Sequence, residues 1–223
     1  MPIRHLSTRQ IACLALALLA ISQAAPALKI DDRHRITFSQ ARTQLTLAYI
    51  RQHYDSQATS IQIRPVMIVV HWTASNTLAS ALAVFQGDTL SGRADIQGGG
   101  KLNVGTHFLV DRDGTVYRLI DENLLARHVI GLNRSAIGIE NVGSDDLTAA
   151  QLQADAQLVA YLKSKYDIQY LIGHLEYRRF VNSPLWQEQQ PNYFTRKVDP
   201  GADFMARLRA GLAQQGIVLK AAP

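Results

Sequence analysis

The chain has 223 residues, a formal net charge of +5, 47% hydrophobic and 18% charged residues, and a single cysteine, Cys13. The basic residues form no dense run with interleaved aromatics, so nucleic-acid binding is not expected, and a mildly basic surface still suits an anionic polymer. With one cysteine, neither a disulfide framework nor a multi-thiolate metal site is available.

Residues 1–25 read as a secretion signal. Arg4 and Arg9 precede an apolar run, Ile11 to Ile21, that is too short to span a membrane, and Ser22-Gln23-Ala24 supplies small residues for cleavage. Cys13 lies inside that run without a lipobox before it, so no stable membrane anchor is expected. Cleavage lowers the charge from +5 to +3, because Arg4 and Arg9 leave with the segment. The remainder is long enough for one hydrophobic core, expected in an exported, periplasmic monomer.

Residues 26–60 read as a surface arm followed by a helix capped by Ser39 and running to about Tyr54, with Ala41, Leu45, Ala48 and Tyr49 at helical spacing. Val66 to Val70 is apolar without alternation and rich in β-branched residues, the pattern of a strand covered on both faces. A helix is expected from Ser75, with Leu78, Leu82 and Phe85 along one stripe. Residues 87–104, with Gly98-Gly99-Gly100, read as a mobile loop, because no strand feeds them and no Lys-Ser/Thr closes them. Asp113-Gly114 marks a hairpin between 106–110 and 115–119. A strand over 136–142 follows, and Thr148 to Gln151 opens a capped helix to Lys165, with Leu152, Ala156, Val159 and Leu162 as its apolar stripe. Tyr170 to Ile172 is the last strand, and Pro200 to Gln214 the last helix, with Phe204, Leu208 and Leu212 inward. These elements predict an α/β fold, one domain with a mixed central sheet flanked by helices.

Chemistry concentrates at strand ends. His71 and His174 each close an apolar strand, where open α/β sheets place their ligands. With Asp199 they form a two-histidine, one-carboxylate set of the kind that holds catalytic zinc. Each histidine alone reads equally well as a hydrogen-bonded core residue. Glu140 interrupts an apolar strand on the face of Gly138 and reads as a general base or as half of a salt bridge. Lys197 shares a face with Asp199, either as an oxyanion partner or as a solvated lysine. Trp72, His128 and Asn133 are candidate substrate contacts. His34 and His53 read as polar, and His107 as packed. Ser75 lacks a nucleophile elbow.

In order along the chain, 69–74, 106–117, 135–140, Gly173-His174 and Lys197 to Gly201 resemble the type 2 N-acetylmuramoyl-L-alanine amidases, over roughly residues 60–215. The resemblance implies that 61–215 is a zinc amidase domain cleaving the bond between N-acetylmuramic acid and L-alanine in peptidoglycan or muropeptides. It matches His71, His174 and Asp199 to the Zn2+ ligands, Glu140 to the catalytic glutamate and Lys197 to the transition-state cation. Thr106 stands where the phage and animal branches have tyrosine, and Asp199 where they often have cysteine. The connection from Leu175 to Val198 is longer than in compact members, and its Tyr177, Phe180, Trp186, Tyr193 and Phe194 either wall a binding groove or pack the segment down. A non-catalytic peptidoglycan-binding protein of the same fold and an amidase restricted to anhydro-muropeptides stay open as alternatives.

Overall fold

A computed structural model describes residues 27–223; the expected signal segment lies outside them. Six strands form one mixed sheet in the order β1-β4-β3-β5-β2-β6: β1 (Ile30–Asp31), β2 (Met67–Trp72), β3 (Phe108–Val110), β4 (Val116–Arg118), β5 (Ala136–Asn141) and β6 (Tyr170–Gly173). The neighbours β3, β5, β2 and β6 run parallel, and the β3–β4 hairpin supplies the antiparallel pair. The supposed arm therefore contributes an edge strand, since Ile30 pairs with Val116 and Asp31 with Tyr117.

The parity of residues along β2 sorts the two faces. Ile68 and Val70 join Ile137, Ile139 and Leu171 against α3 (Ala149–Lys165) and α4 (Ala202–Gln214). Met67 and Val69 point to the other side and pack with Ala136, Ile172, Val129 and Phe180. His71 continues this second series, and so does His174 after Ile172. One face is thus sealed by helices, while the face under the connecting segments carries the histidines.

Local chemistry sets the helix ends. Ser39 Oγ accepts from Arg42 N–H at 3.0 Å and starts α1 (Gln40–His53). Thr148 and Gln151 form the expected capping box. The second helix, α2 (Leu78–Gln86), begins after Thr77 rather than at Ser75, because Thr77 Oγ1 accepts the Ser80 N–H and Ser75 bridges to Gly143. Likewise α4 starts at Ala202, after Gly201, whose φ of 89° suits glycine, two residues beyond the expected Pro200.

The buried side of α1 is Arg42, Thr46, Tyr49, Ile50 and His53, whereas Ala41 and Ala48 are exposed. Arg42 turns inward because the open carbonyls at the end of α2 need donors: its guanidinium reaches Phe85 O, Gln86 O and Gly87 O, and pairs with Asp88 at 3.0 Å. In α3 the buried set shifts to Gln151, Ala154, Asp155, Leu158, Val159 and Leu162, leaving Leu152 and Ala156 only partly covered.

Residues 87–104, expected as a mobile loop, contain a short turn tied to the body of the protein at Ile96 to Leu102. Ala94–Gly99 forms a 3-10 turn, Ile96 is buried, and the Arg127 guanidinium donates to Ile96 O (2.7 Å), Gly100 O (3.1 Å) and Leu102 O (2.5 Å). A buried arginine donating to three carbonyls does the work that a hydrophobic plug would do elsewhere. Past α4 the chain returns to the sheet edge, where Leu171 N–H donates to Lys220 O at 3.0 Å.

Candidate active site

The site lies at the C-terminal ends of β5, β2 and β6, three adjacent parallel strands. Register places His71 directly opposite Glu140, and Val70 opposite Gly173, so His174 follows one residue beyond the ladder. Asp199 is brought back from the far end of a long connection. Its carbonyl accepts the Leu175 N–H at 2.8 Å, which sets its carboxylate beside His174.

His71 Nδ1, His174 Nδ1 and Asp199 Oδ2 converge. The separations are 2.8 Å between the two nitrogens, 3.1 Å from His174 to the carboxylate and 3.3 Å from His71 to it. Ligand atoms about 2.0–2.2 Å from a tetrahedral ion stand about 3.3 Å apart. Two imidazole nitrogens and one carboxylate oxygen at these separations, all buried, fit a zinc ion with a fourth position open.

The electrostatics agree with that fit. Burial, with the Asp199 interaction opposing it, leaves His71 below its ordinary pKa, and burial together with the neighbouring His71 lowers His174 to about 4. Burial pushes Asp199 upward, but the hydrogen bond and charge interaction with His174, together with the nearby His71, outweigh that and hold it well below the usual carboxylate range. The set is therefore two neutral imidazoles and one carboxylate, the protonation state that binds a divalent cation.

Glu140 stands on the same face. Its Oε2 is buried without a hydrogen-bond partner among the described residues, and burial followed by the charge of Asp199 raises its pKa well above normal, opposed by Lys197 and Arg93. An orphaned carboxylate oxygen costs several kcal/mol in a folded core, so a purely structural Glu140 would be expected to carry a partner. Among the described residues it has no salt bridge. Lys197 lines the same cavity, partly exposed and without an ion pair among the described residues.

The cavity encloses about 430 Å³ and is bordered by Trp72, Tyr49, Arg93, Tyr193 and Thr195 around the polar cluster. Residues 62–202 match the N-acetylmuramoyl-L-alanine amidase family. The chain belongs to the type 2 N-acetylmuramoyl-L-alanine amidase family. The endolysin of Escherichia phage T7 is 38% identical over 85 residues, which cover 34% of this chain and 56% of the endolysin. That of Klebsiella phage KP32 is 37% identical over 83 residues, 34% of this chain and 55% of the endolysin. The chain thus spans about half the length of the curated relatives it matches. Among solved structures, the endolysin N-acetylmuramoyl-L-alanine amidase LysCS from Clostridium intestinale URNW shares the fold, with a TM-score of 0.53 at 23% identity, covering 84% of this chain and 97% of that one.

Around the amidase-family core, most of the aromatics between Leu175 and Val198 pack the segment down. Tyr177 and Phe180 are buried, and the Tyr177 hydroxyl donates to Thr195 O at 2.7 Å and accepts its N–H at 3.0 Å. Trp186 lies over Gly131, where a Cβ would come within 2.7 Å of its ring, and stacks on Phe194. Tyr193 alone of the five borders the cavity, with its hydroxyl 2.9 Å from Arg127.

Of the candidate substrate contacts, Trp72 borders the cavity while half-buried. Asn133 is fully buried, and its amide is spent on the protein: Oδ1 accepts from His128 and Val129 N–H, and Nδ2 donates to the Tyr54 hydroxyl. His128 has both ring nitrogens against protein groups, His71 Nε2 at 3.0 Å and Ala136 O at 3.3 Å. His53, expected as polar, is fully buried between Glu188 and Gly99 O and ties α1 to the long connection. No local signal in the sequence marks that pair, because its partners are 135 residues apart. His107 is packed as expected, with Nδ1 accepting the Gly138 N–H and Nε2 facing Leu124 O.

Proposed function

We propose that this chain is an exported, zinc-dependent amidase that hydrolyses the bond between N-acetylmuramic acid and L-alanine in peptidoglycan or its fragments. The observation that carries the reading is the convergence of His71, His174 and Asp199 beside the orphaned Glu140 carboxylate, inside one cavity of a chain of this family. The phage endolysins that it resembles support a cell-wall substrate. The basic, apolar and small-residue pattern of residues 1–25 supports export to the periplasm. Among the described residues no helix is long and apolar enough to cross a membrane.

His71, His174 and Asp199 would hold the ion. Bound there, zinc would supply Lewis acidity toward the scissile carbonyl and lower the pKa of a coordinated water to about 7. Glu140 takes the proton of the attacking water on its unpartnered Oε2 and delivers it to the departing L-alanine nitrogen. Its pKa, raised by burial and by the charge of Asp199, suits the uptake of that proton, since a carboxylate held above its usual range is the stronger proton acceptor in the first half of the task. Lys197 lines the cavity without an ion pair among the described residues and opposes the negative charge that develops on the carbonyl oxygen.

The full complement of donors together with Glu140 favours catalysis over simple binding. Mass spectrometry of the soluble products from purified sacculi and from anhydro-muropeptides tests the reading. Stem peptides with a free L-alanine amino terminus are expected from at least one of them. Their absence from both would refute an amidase, and release from the anhydro form alone would restrict the substrate to fragments.

A further inference from the structure

His128 was a candidate for substrate contact, yet neither of its ring nitrogens is free for a ligand. Nε2 lies 3.3 Å from Ala136 O, a carbonyl that can only accept a hydrogen bond. In the uncharged ring the proton therefore sits on Nε2, and Nδ1 is an acceptor. His71 Nε2 lies 3.0 Å from that Nδ1 and must donate to it. With its own proton fixed on Nε2, His71 presents a bare lone pair at Nδ1, the atom that faces His174 Nδ1 and Asp199 Oδ2. A single backbone carbonyl thus sets the direction of two hydrogen bonds in series.

The ring of His128 is seated from below and held from behind. A Cβ on Gly138 would stand 2.9 Å from its Cγ and Nδ1, so only glycine at that point of β5 leaves room for the imidazole. The sequence pattern shows the gap beside Glu140, and the structure fills it with this ring. Asn133 Oδ1 accepts the N–H groups of His128 and Val129 at 2.9 and 2.8 Å, and its Nδ2 is anchored on the Tyr54 hydroxyl. These contacts fix the backbone that carries the ring.

We propose that His128 is a positioning residue that locks His71 in the tautomer with Nδ1 unprotonated, and so readies the site for zinc. The inference rests on the metal-site reading above for its consequence, but the tautomer itself belongs to the metal-free protein. Outer partners of metal-bound histidines typically contribute 10- to 100-fold in metal affinity.

Three measurements decide it. Long-range proton–nitrogen correlation spectra of metal-free wild-type protein should show His71 protonated on Nε2; protonation on Nδ1 would overturn the inference. Zinc dissociation constants from competition with a chromophoric chelator should rise about 10- to 100-fold in His128→Phe, which keeps ring bulk without the acceptor. In His128→Asn, whose Oδ1 falls near the position of Nδ1, most of the affinity should return. Wild-type affinity in His128→Phe, or equal loss in both variants, would overturn the inference. If His128→Phe does not fold, the wild-type spectrum and His128→Asn still decide. Wild-type protein that binds no zinc would instead remove the metal reading, while the spectrum would continue to report the tautomer.

Discussion

Glu140 and His71 face each other across the β2–β5 ladder. The orphaned carboxylate is therefore placed beside the ligand set by strand register, not by a loop. Backbone hydrogen bonds on both sides hold this pairing, which would keep the proposed base against the proposed ion without a side-chain tether of its own.

From that placement, Glu140→Gln should retain the zinc content of the wild type and lower turnover by roughly 10²- to 10⁴-fold, the usual contribution of a positioned acid–base group. Zinc per chain and the rate of peptide release, measured on the same preparation, check this. Full activity in the variant would remove Glu140 from the mechanism.

His174→Ala should act differently. It deletes one of the three donors while His71 and Asp199 stay 3.3 Å apart. Zinc content after gel filtration should fall to a small fraction of the wild-type value, and turnover should fall with it. A variant that keeps its metal would mean that another residue closes the site.

Asp155 offers a prediction remote from the ion. It is fully buried on α3, its Oδ2 accepts from Asn141 Nδ2 at 3.0 Å, and its Oδ1 has no partner among the described residues. Burial raises its pKa from 3.8 to about 7, against the Asn141 hydrogen bond. Between those values the folded chain keeps a proton that the unfolded chain has released. The stability contribution is therefore full below about pH 4 and declines as pH rises to about 7, by at most ~4 kcal/mol. Asp155→Asn, neutral at all these values, should flatten the decline and gain stability relative to wild type near pH 8. Urea midpoints at about pH 5 and pH 8 at fixed zinc measure it; parallel profiles for the two proteins would contradict the account.

Arg42→Met should cost about 3 kcal/mol, because it strips donors from Phe85 O, Gln86 O and Gly87 O and leaves Asp88 without its cation. Denaturant unfolding reads the loss. Zinc affinity should change little, since α2 contributes no ligand.

The sequence made the strands legible because buried parallel strands must be apolar on both faces, and Met67 to Val70 and Leu171-Ile172 carry no competing pattern. The same logic exposed His71, His174 and Glu140 as polar residues at the ends of, or within, such runs. What escaped was polar burial. Arg42, His53, Arg127 and Asp155 read as surface residues by type, yet each is buried because a distant partner satisfies it or because burial keeps it neutral. For the same reason the expected stripes of α1 and α3 match only in part: Tyr49, Val159 and Leu162 are buried as expected, but the inward faces also include charged and amide side chains. The anchoring of the glycine-rich segment was not legible either, because Arg127, a long way down the chain, supplies the hydrogen bonds to Ile96 O, Gly100 O and Leu102 O.

The proposed zinc ion, held by His71, His174 and Asp199, would be required for cleavage of the muramoyl–L-alanine bond. Stem-peptide release from purified sacculi should be followed with wild-type protein as prepared, after chelation, and after zinc is returned in slight excess. Release should stop on chelation and recover with zinc, with a free L-alanine amino terminus on each peptide and intact glycan strands. Release that persists at the same rate in the chelated protein would contradict that requirement.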